Sequence, residues 1–290
     1  MARLGVLGWP VAHSLSPAIH NAALAALGMR DWRYQRLPVP PALFAETVRS
    51  LHGSGFVGAN VTIPHKQAGC SLADRASDAA RAIGAANTLS FAPDGTITAE
   101  NTDAPGLIAA LPCPVRGSRA LVLGAGGSAR AAVWALAQEG AREVLVWNRT
   151  FERAQALAGE LGARAVSRPE PADLLINCTS VGLELAPGGH EVPGEGERSA
   201  SVQPSAKDAA ELNQLALTFD QVAEYSYVVD VVYRAKPTAL LSAARAHHVP
   251  AVDGREVLVS QGALSFELWT GKPAPLEVMR RAARTGEATR

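Results

Sequence analysis

Leu121-Val122-Leu123-Gly124-Ala125-Gly126-Gly127-Ser128-Ala129-Arg130 reads as an apolar strand, a glycine turn and the start of a helix. Gly124-x-Gly126-x-x-Ala129 matches the dinucleotide fingerprint, with Ala in the third place. The glycines let the backbone turn and approach a pyrophosphate, whose charge meets the free N–H groups of the helix start. Gly-Ala-rich turns also occur for packing alone, so the flanking elements decide. Arg119 to Leu123 reads as a strand, Ser128 to Glu139 as a helix ending at Gly140, and Glu143 to Trp147 as the next strand. That order implies a parallel sheet with right-handed crossovers.

Outward from this unit the pattern continues. Further strands are expected at Ala163–Val166, Asp173–Cys178 and Tyr227–Val232, with a short one near Val249–Val252. A long helix is expected from Arg255 to Thr270. Between Glu184 and about Ala206 the chain is rich in Gly, Pro, Ser and Glu without periodicity, which reads as a mobile surface loop. Toward the N-terminus, Pro112-Cys113-Pro114 reads as a linker. Before it come strands at Leu4–Leu7, Tyr34–Val39 and from Phe56, and helices from Ser16-Pro17 to Gly28 and over Pro41–Ser50. Asn87–Phe91 and Thr96–Glu100 are joined by Pro93-Asp94-Gly95, a hairpin signal, and a short helix follows over Pro105–Leu111.

The 290 residues suffice for two domains. Formal charge is zero, with 27 basic and 27 acidic residues, so no nucleic acid or anionic membrane is expected as partner. Cys70, Cys113 and Cys178 are odd in number and lack metal-ligand spacing, which fits a reducing compartment and no metal site. The apolar run at the N-terminus is too short for a signal peptide, and none approaches 18 residues. A soluble cytoplasmic α/β protein is the expectation.

Of the 27 basic residues only four are Lys, at 66, 207, 236 and 272. Arg cannot give up a proton near neutrality, whereas a partly buried Lys can. Lys66 follows Asn60-Val61-Thr62-Ile63-Pro64-His65 at a strand's C-terminal end, where open α/β sheets bind ligands. It is a candidate for proton transfer; the alternative is a solvated Lys starting a helix. Asp103 is either a helix N-cap or the partner of Lys66. Ser14 and Ser16 set two hydroxyls before a helix start, a fair carboxylate site, although either also suits a cap. Gly84-Ala85-Ala86-Asn87-Thr88 sets another amide beside a strand start. After Trp147, where NAD sites carry an acid, stand Asn148-Arg149-Thr150-Phe151-Glu152-Arg153. Two guanidinium groups one turn apart favour NADP through its 2′-phosphate; two solvated Arg are the plainer reading. His65 and Cys70 read as structural.

Taken in order, these motifs resemble shikimate dehydrogenase. They are His13-Ser14-Leu15-Ser16-Pro17 with His20-Asn21, Asn60 to Lys66, Gly84 to Thr88, and Asn101-Thr102-Asp103. They continue through the glycine turn, Asn148-Arg149-Thr150, Asn177 to Gly182, Asp230-Val231-Val232-Tyr233, and Gln261-Gly262-Ala263 to Gly271. The resemblance implies an N-terminal α/β substrate domain, residues 1–103 completed by 255–290. A Rossmann-type doubly wound NADP-binding domain, 104–254, would follow, with the cleft between them. It implies reversible reduction of 3-dehydroshikimate by NADPH, a step of aromatic amino-acid biosynthesis. Lys66 and Asp103 would be the catalytic pair, and Ser14, Ser16, Thr62, Asn87, Tyr233 and Gln261 would hold the substrate. Gly124, Ala125, Gly126, Gly127, Ser128, Asn148, Arg149, Thr150, Arg153, Val231 and Gly254 would hold the cofactor, with Asp78 near it though no motif anchors that position. A monomer or homodimer is expected.

Ala99, Leu183 and Val231 depart from the family, which has Gly at the first position and Met at the other two. These apolar exchanges are expected to adjust packing at the nicotinamide rather than the chemistry. Two rivals remain: a quinate/shikimate dehydrogenase using NAD, and a sensor that kept the ligand cleft without catalysis. The missing acid after Trp147 counts against the first, and intact Lys66 and Asp103 against the second.

Overall fold

The computed structural model describes residues 1–183 and 205–286. The expected 184–206 loop lies outside the described residues except at its end, where Ser205 and Ala206 open a helix. In chain order the elements are β1 (Ala2–Gly8), α1 (Ser16–Ala26), β2 (Trp32–Pro38), α2 (Phe44–Leu51), β3 (Phe56–Val61), α3 (Lys66–Leu72), β4 (Arg75–Ala76), α4 (Asp78–Ile83), β5 (Thr88–Phe91), β6 (Ile97–Glu100) and α5 (Asp103–Ala110). There follow β7 (Arg119–Leu123), α6 (Gly127–Gln138), β8 (Glu143–Trp147), α7 (Phe151–Leu161), β9 (Arg164–Val166) and β10 (Leu174–Asn177). The last are α8 (Ala206–Gln214), β11 (Tyr227–Asp230), α9 (Ala239–Ala246), β12 (Ala251–Asp253), α10 (Gly254–Thr270) and α11 (Leu276–Thr285).

The strands form two six-stranded sheets. The second has the order β12-β11-β10-β7-β8-β9 and every pairing in it is parallel. Read from β9, this is the doubly wound Rossmann order, whose direction of winding reverses between β7 and β10. Its strands are near-continuous apolar runs because both faces are covered: Leu121, Leu123 and Leu145 point to one core, Val122, Val146 and Ile176 to the other. The first sheet is mixed, β2-β1-β3-β5-β6-β4, with β1 parallel to both its neighbours and β5 antiparallel to β3 and β6. The β5–β6 hairpin lies where its turn residues set it. Edge strand β2 is held by Asn21 of α1, whose side chain accepts from Tyr34 N and donates to Tyr34 O, both at 2.9 Å.

Helices α5 and α10 pack together between the two sheets. Their approach depends on Gly106, where a Cβ would stand 2.6 Å from Gln261 Cβ and 2.7 Å from its backbone. Gly106→Ala is therefore expected to destabilise the chain by about 1–3 kcal/mol, the usual cost of overpacking. Urea unfolding measures it; an unchanged midpoint would mean that the two helices can separate at no cost.

Candidate active site

Two cavities meet at Lys66. The smaller, about 150 Å³, is lined by Ser14, Ser16, Asn60, Thr62, Asn87, Asp103, Tyr233 and Gln261 among others. The larger, about 710 Å³, runs along the glycine turn and the ends of β8 and β10. Lys66, Ile63, Cys178, Thr179 and Ser180 line both. The site thus stands at the C-terminal ends of the parallel strands, beside the reversal point of the second sheet.

Lys66 opens α3, so its amine is carried by a helix start fixed just beyond β3. Nζ donates to Asp103 Oδ2 at 2.6 Å and to Ser128 Oγ at 2.9 Å, and the two side chains of the ion pair are 11% and 17% exposed. The plain reading of Asp103 as an N-cap does not hold. Asn101 Oδ1 accepts the Ala104 N–H at 3.0 Å, which frees the Asp103 carboxylate for Lys66. Ser16 is likewise no cap: it is already helical, and α1 has no side-chain cap. Ser14 keeps a cap-like contact, its Oγ accepting the Ser16 N–H at 3.3 Å.

Asn87 organises the far side of the pair. Its Nδ2 lies 3.0 Å from Asp103 Oδ1 and 2.9 Å from Gln261 Oε1, and its Oδ1 accepts Thr102 N at 2.7 Å. Asn60 was not anticipated as a site residue, yet it lines the small cavity. It donates to Thr88 Oγ1 and Ser265 Oγ and accepts from Tyr34 Oη at 2.8 Å. Its signal was an amide in an otherwise apolar, buried strand. Ser265 gave only its helical spacing from Gln261. His13, Thr179, Ser180 and Arg130, which also line the cavities, were missed as well.

The glycine turn passes so close to α3 that a Cβ on Gly127 would stand 2.7 Å from Lys66 Cβ. The N-terminus of α6 has neither a side-chain cap nor an acid in its first turn, so its N–H groups are open to the larger cavity. Asn148, Arg149, Thr150 and Arg153 line the same cavity, and no acid ends β8. Uncapped amides, guanidinium groups with no carboxylate partner among the described residues, and a long groove fit a dinucleotide with a 2′-phosphate. Val231 and Gly254 line the small cavity instead, close to Lys66. Asp78 stands apart from these: it opens α4, is exposed, pairs with Arg81 and lines neither cavity. An acid in a helix's first turn has that local use without any ligand. His65 is buried, stacked on Phe44 at 4.4 Å and bonded to Val39 O at 2.7 Å, away from the reacting groups.

Beneath Tyr233, Asp230 is fully buried and accepts from Asn177 Nδ2, Val232 N and Thr238 Oγ1 at 2.9, 3.1 and 2.6 Å. Burial pushes its carboxyl up to about 6, against 3.8 in the unfolded chain. Between those values the folded chain holds a proton that the unfolded chain has shed. Stability from this group is thus present at low pH and lost as pH rises through about 6. Asp230→Asn is expected to remove about 1–2 kcal/mol of the wild-type gain between pH 7 and 4.5. A wild-type-to-variant difference in urea midpoint that is the same at both pH values would contradict this.

Among the described residues no helix is long and apolar enough to cross a membrane. The shikimate dehydrogenase substrate binding domain matches residues 6–89 and shikimate / quinate 5-dehydrogenase residues 109–179. The shikimate 5′-dehydrogenase C-terminal domain matches residues 254–284. Shikimate dehydrogenase (NADP(+)) of Methylobacterium radiotolerans is 44% identical, over 94% of this chain and 92% of its own. That of Methanopyrus kandleri is 41% identical, over 96% and 93%. Shikimate 5-dehydrogenase of Thermus thermophilus, in complex with NADP(H) and shikimate, superposes with a TM-score of 0.79. It is 39% identical, with 99% of this chain and all of that one covered. With these family models matching in turn along it and identity of this degree over almost its whole length, the chain belongs to the shikimate dehydrogenase family.

Proposed function

We propose that the chain catalyses the reversible NADPH-dependent reduction of 3-dehydroshikimate to shikimate, in aromatic amino-acid biosynthesis, with Lys66 and Asp103 as its catalytic pair. The observation that carries this is the 2.6 Å Lys66–Asp103 ion pair at the junction of a small polar cavity and a long groove on the glycine turn. Residues 1–103 with 255–290 act as the substrate domain and 104–254 as the cofactor domain. Ser14, Ser16, Thr62, Asn87, Tyr233 and Gln261 bind the substrate. Gly124 to Ser128 and Asn148 to Arg153 bind the cofactor, with Val231 and Gly254 beside its reactive end.

Bound NADPH supplies a hydride to the carbonyl carbon. The oxygen left behind gains charge and needs a proton as it forms. An ammonium has three N–H donors, and Lys66 spends one on Asp103 and one on Ser128, which leaves the third for that oxygen. Asp103, fixed from behind by Asn87, keeps the ammonium in place and offers its other oxygen to a neighbouring hydroxyl. In the oxidative direction the neutral amine accepts the proton, and the Asp103 carboxylate stabilises the cation that results. Buried, pre-oriented donors act without reorganising at the moment of reaction.

Steady-state oxidation of shikimate and quinate, each with NADP and with NAD, tests the reading. Turnover is expected with shikimate and NADP and to be far weaker with the other pairs. Faster turnover with quinate and NAD would replace it by the rival dehydrogenase, and no turnover at all by the sensor. The same reading makes the enzyme cytoplasmic, a monomer or homodimer with small molecules as its partners. Light scattering on the purified chain decides its size.

A further inference from the structure

Ser14 and Ser16, buried at 4% and 5% exposure, close the small cavity with neutral hydroxyls. Tyr233 lies against Ser14 and the Leu15 backbone at the same end. The charged groups lining the cavity are Lys66 and Asp103, and these are paired with each other. His13 also lines it, but burial and the nearby Arg36 favour its neutral form. A carboxylate entering between the serines meets hydroxyl and peptide dipoles, with the Ser16 N–H already turned to Ser14 Oγ at 3.3 Å and no acid in the first turn of α1, but no cation. An anion taken out of water without a counter-charge is held poorly.

A cation stands one layer behind. Alternate residues of a strand share a face, and on β2 Tyr34 packs on His20 of α1, their rings 4.3 Å apart and near parallel. Arg36, two residues on, comes level with the loop that enters α1. Its Nε and Nη2 both donate to the carbonyl oxygen of Ser14, at 3.1 and 2.7 Å. That carbonyl belongs to the same peptide as the Leu15 N–H, so the charge strengthens this donor between the two serines. Among the described residues no carboxylate pairs with Arg36, and its charge is not cancelled.

We infer that Arg36 is the counter-charge for the substrate's carboxylate, acting through the Ser14 carbonyl without touching the substrate. It is a positioning and specificity residue that favours a carboxylate over its neutral ester. The inference rests on the small cavity being the shikimate site. Because Arg36 is exposed, solvent screens its field and the effect is moderate.

The test compares oxidation of shikimate and of its methyl ester by wild type, Arg36→Met and Arg36→Lys. Methionine keeps the packing of the side-chain stem and removes the charge. For Arg36→Met the KM of shikimate is expected to rise about 5–20-fold with kcat within about twofold, and the KM of the ester to stay put. Arg36→Lys should recover most of the loss. Acid and ester weakened alike would mean that Arg36 merely props the Ser14 loop, and an unchanged KM for the acid would mean that it does nothing. Either result overturns the inference, and the wild type's turnover of shikimate in the same series shows that the proposed activity itself stands.

Discussion

Lys66→Ala is expected to lower kcat by about 10²–10⁴, the range for loss of a positioned acid–base group, while KM for shikimate changes far less. The asymmetry follows from geometry. On the proposed reading, substrate would be held by groups on the loop after β1, just before β5 and on α10, whereas the Lys66 amine would face the oxygen whose charge changes in the reaction. Asp103→Asn should also reduce kcat, because an amide cannot hold an ammonium at 2.6 Å with the strength of a carboxylate. The two residues act as one unit, so the double variant should fall well short of the product of the single losses. Steady-state kinetics of the four proteins gives the answer. Losses that multiply would mean that Lys66 and Asp103 serve separate steps.

Arg149→Ala is expected to reduce the preference for NADP over NAD by about 10–100-fold. A charge-assisted hydrogen bond is worth about 1.5–3 kcal/mol, which converts to that ratio. Arg149 lines the long groove at the end of β8, together with Arg153 one turn further. Neither has a carboxylate partner among the described residues, so both are available to a phosphate. The ratio of kcat/KM for the two cofactors is the measurement. If it does not move, the 2′-phosphate is held elsewhere.

The Rossmann half was legible because its strands are apolar on both faces and its turns are marked by glycine, so period and punctuation agree. The strand ends at Leu123 and Trp147 agree with the structure, and the helix start at Ser128 is one residue late. Less legible were α3, α4 and α9, six to eight residues long, too short for a helical period to stand out. Over Pro41–Ser50 a 3₁₀ turn at Pro41–Leu43 precedes α2, since prolines at 40 and 41 leave the first residues without donors.

The site was legible wherever a polar residue stood at a strand end or helix start. Two ambiguities needed the three-dimensional structure. Nothing in the sequence says that Asn101 rather than Asp103 serves the N-terminus of α5, and that choice releases the carboxylate for Lys66. Nor does it say that Ser128, read only as part of the cofactor turn, accepts from the same amine across the cleft. Asp78 poses the opposite case. An acid at a helix start carries no sign of whether it faces a ligand or, as here, a neighbouring Arg.

The central claim is that the Lys66 amine moves the proton at the reacting oxygen, and restoring that amine from solution tests it most directly. Lys66→Ala leaves space where the side chain stood, beside Asp103 and Ser128. Turnover of shikimate by this variant is measured against the concentration of a series of small primary amines of differing basicity. The account predicts rates that rise with amine concentration and vary with amine basicity, as general acid–base catalysis requires. A Lys66→Ala enzyme with near-wild-type kcat, or one that still binds shikimate but gains nothing from any amine, would contradict it.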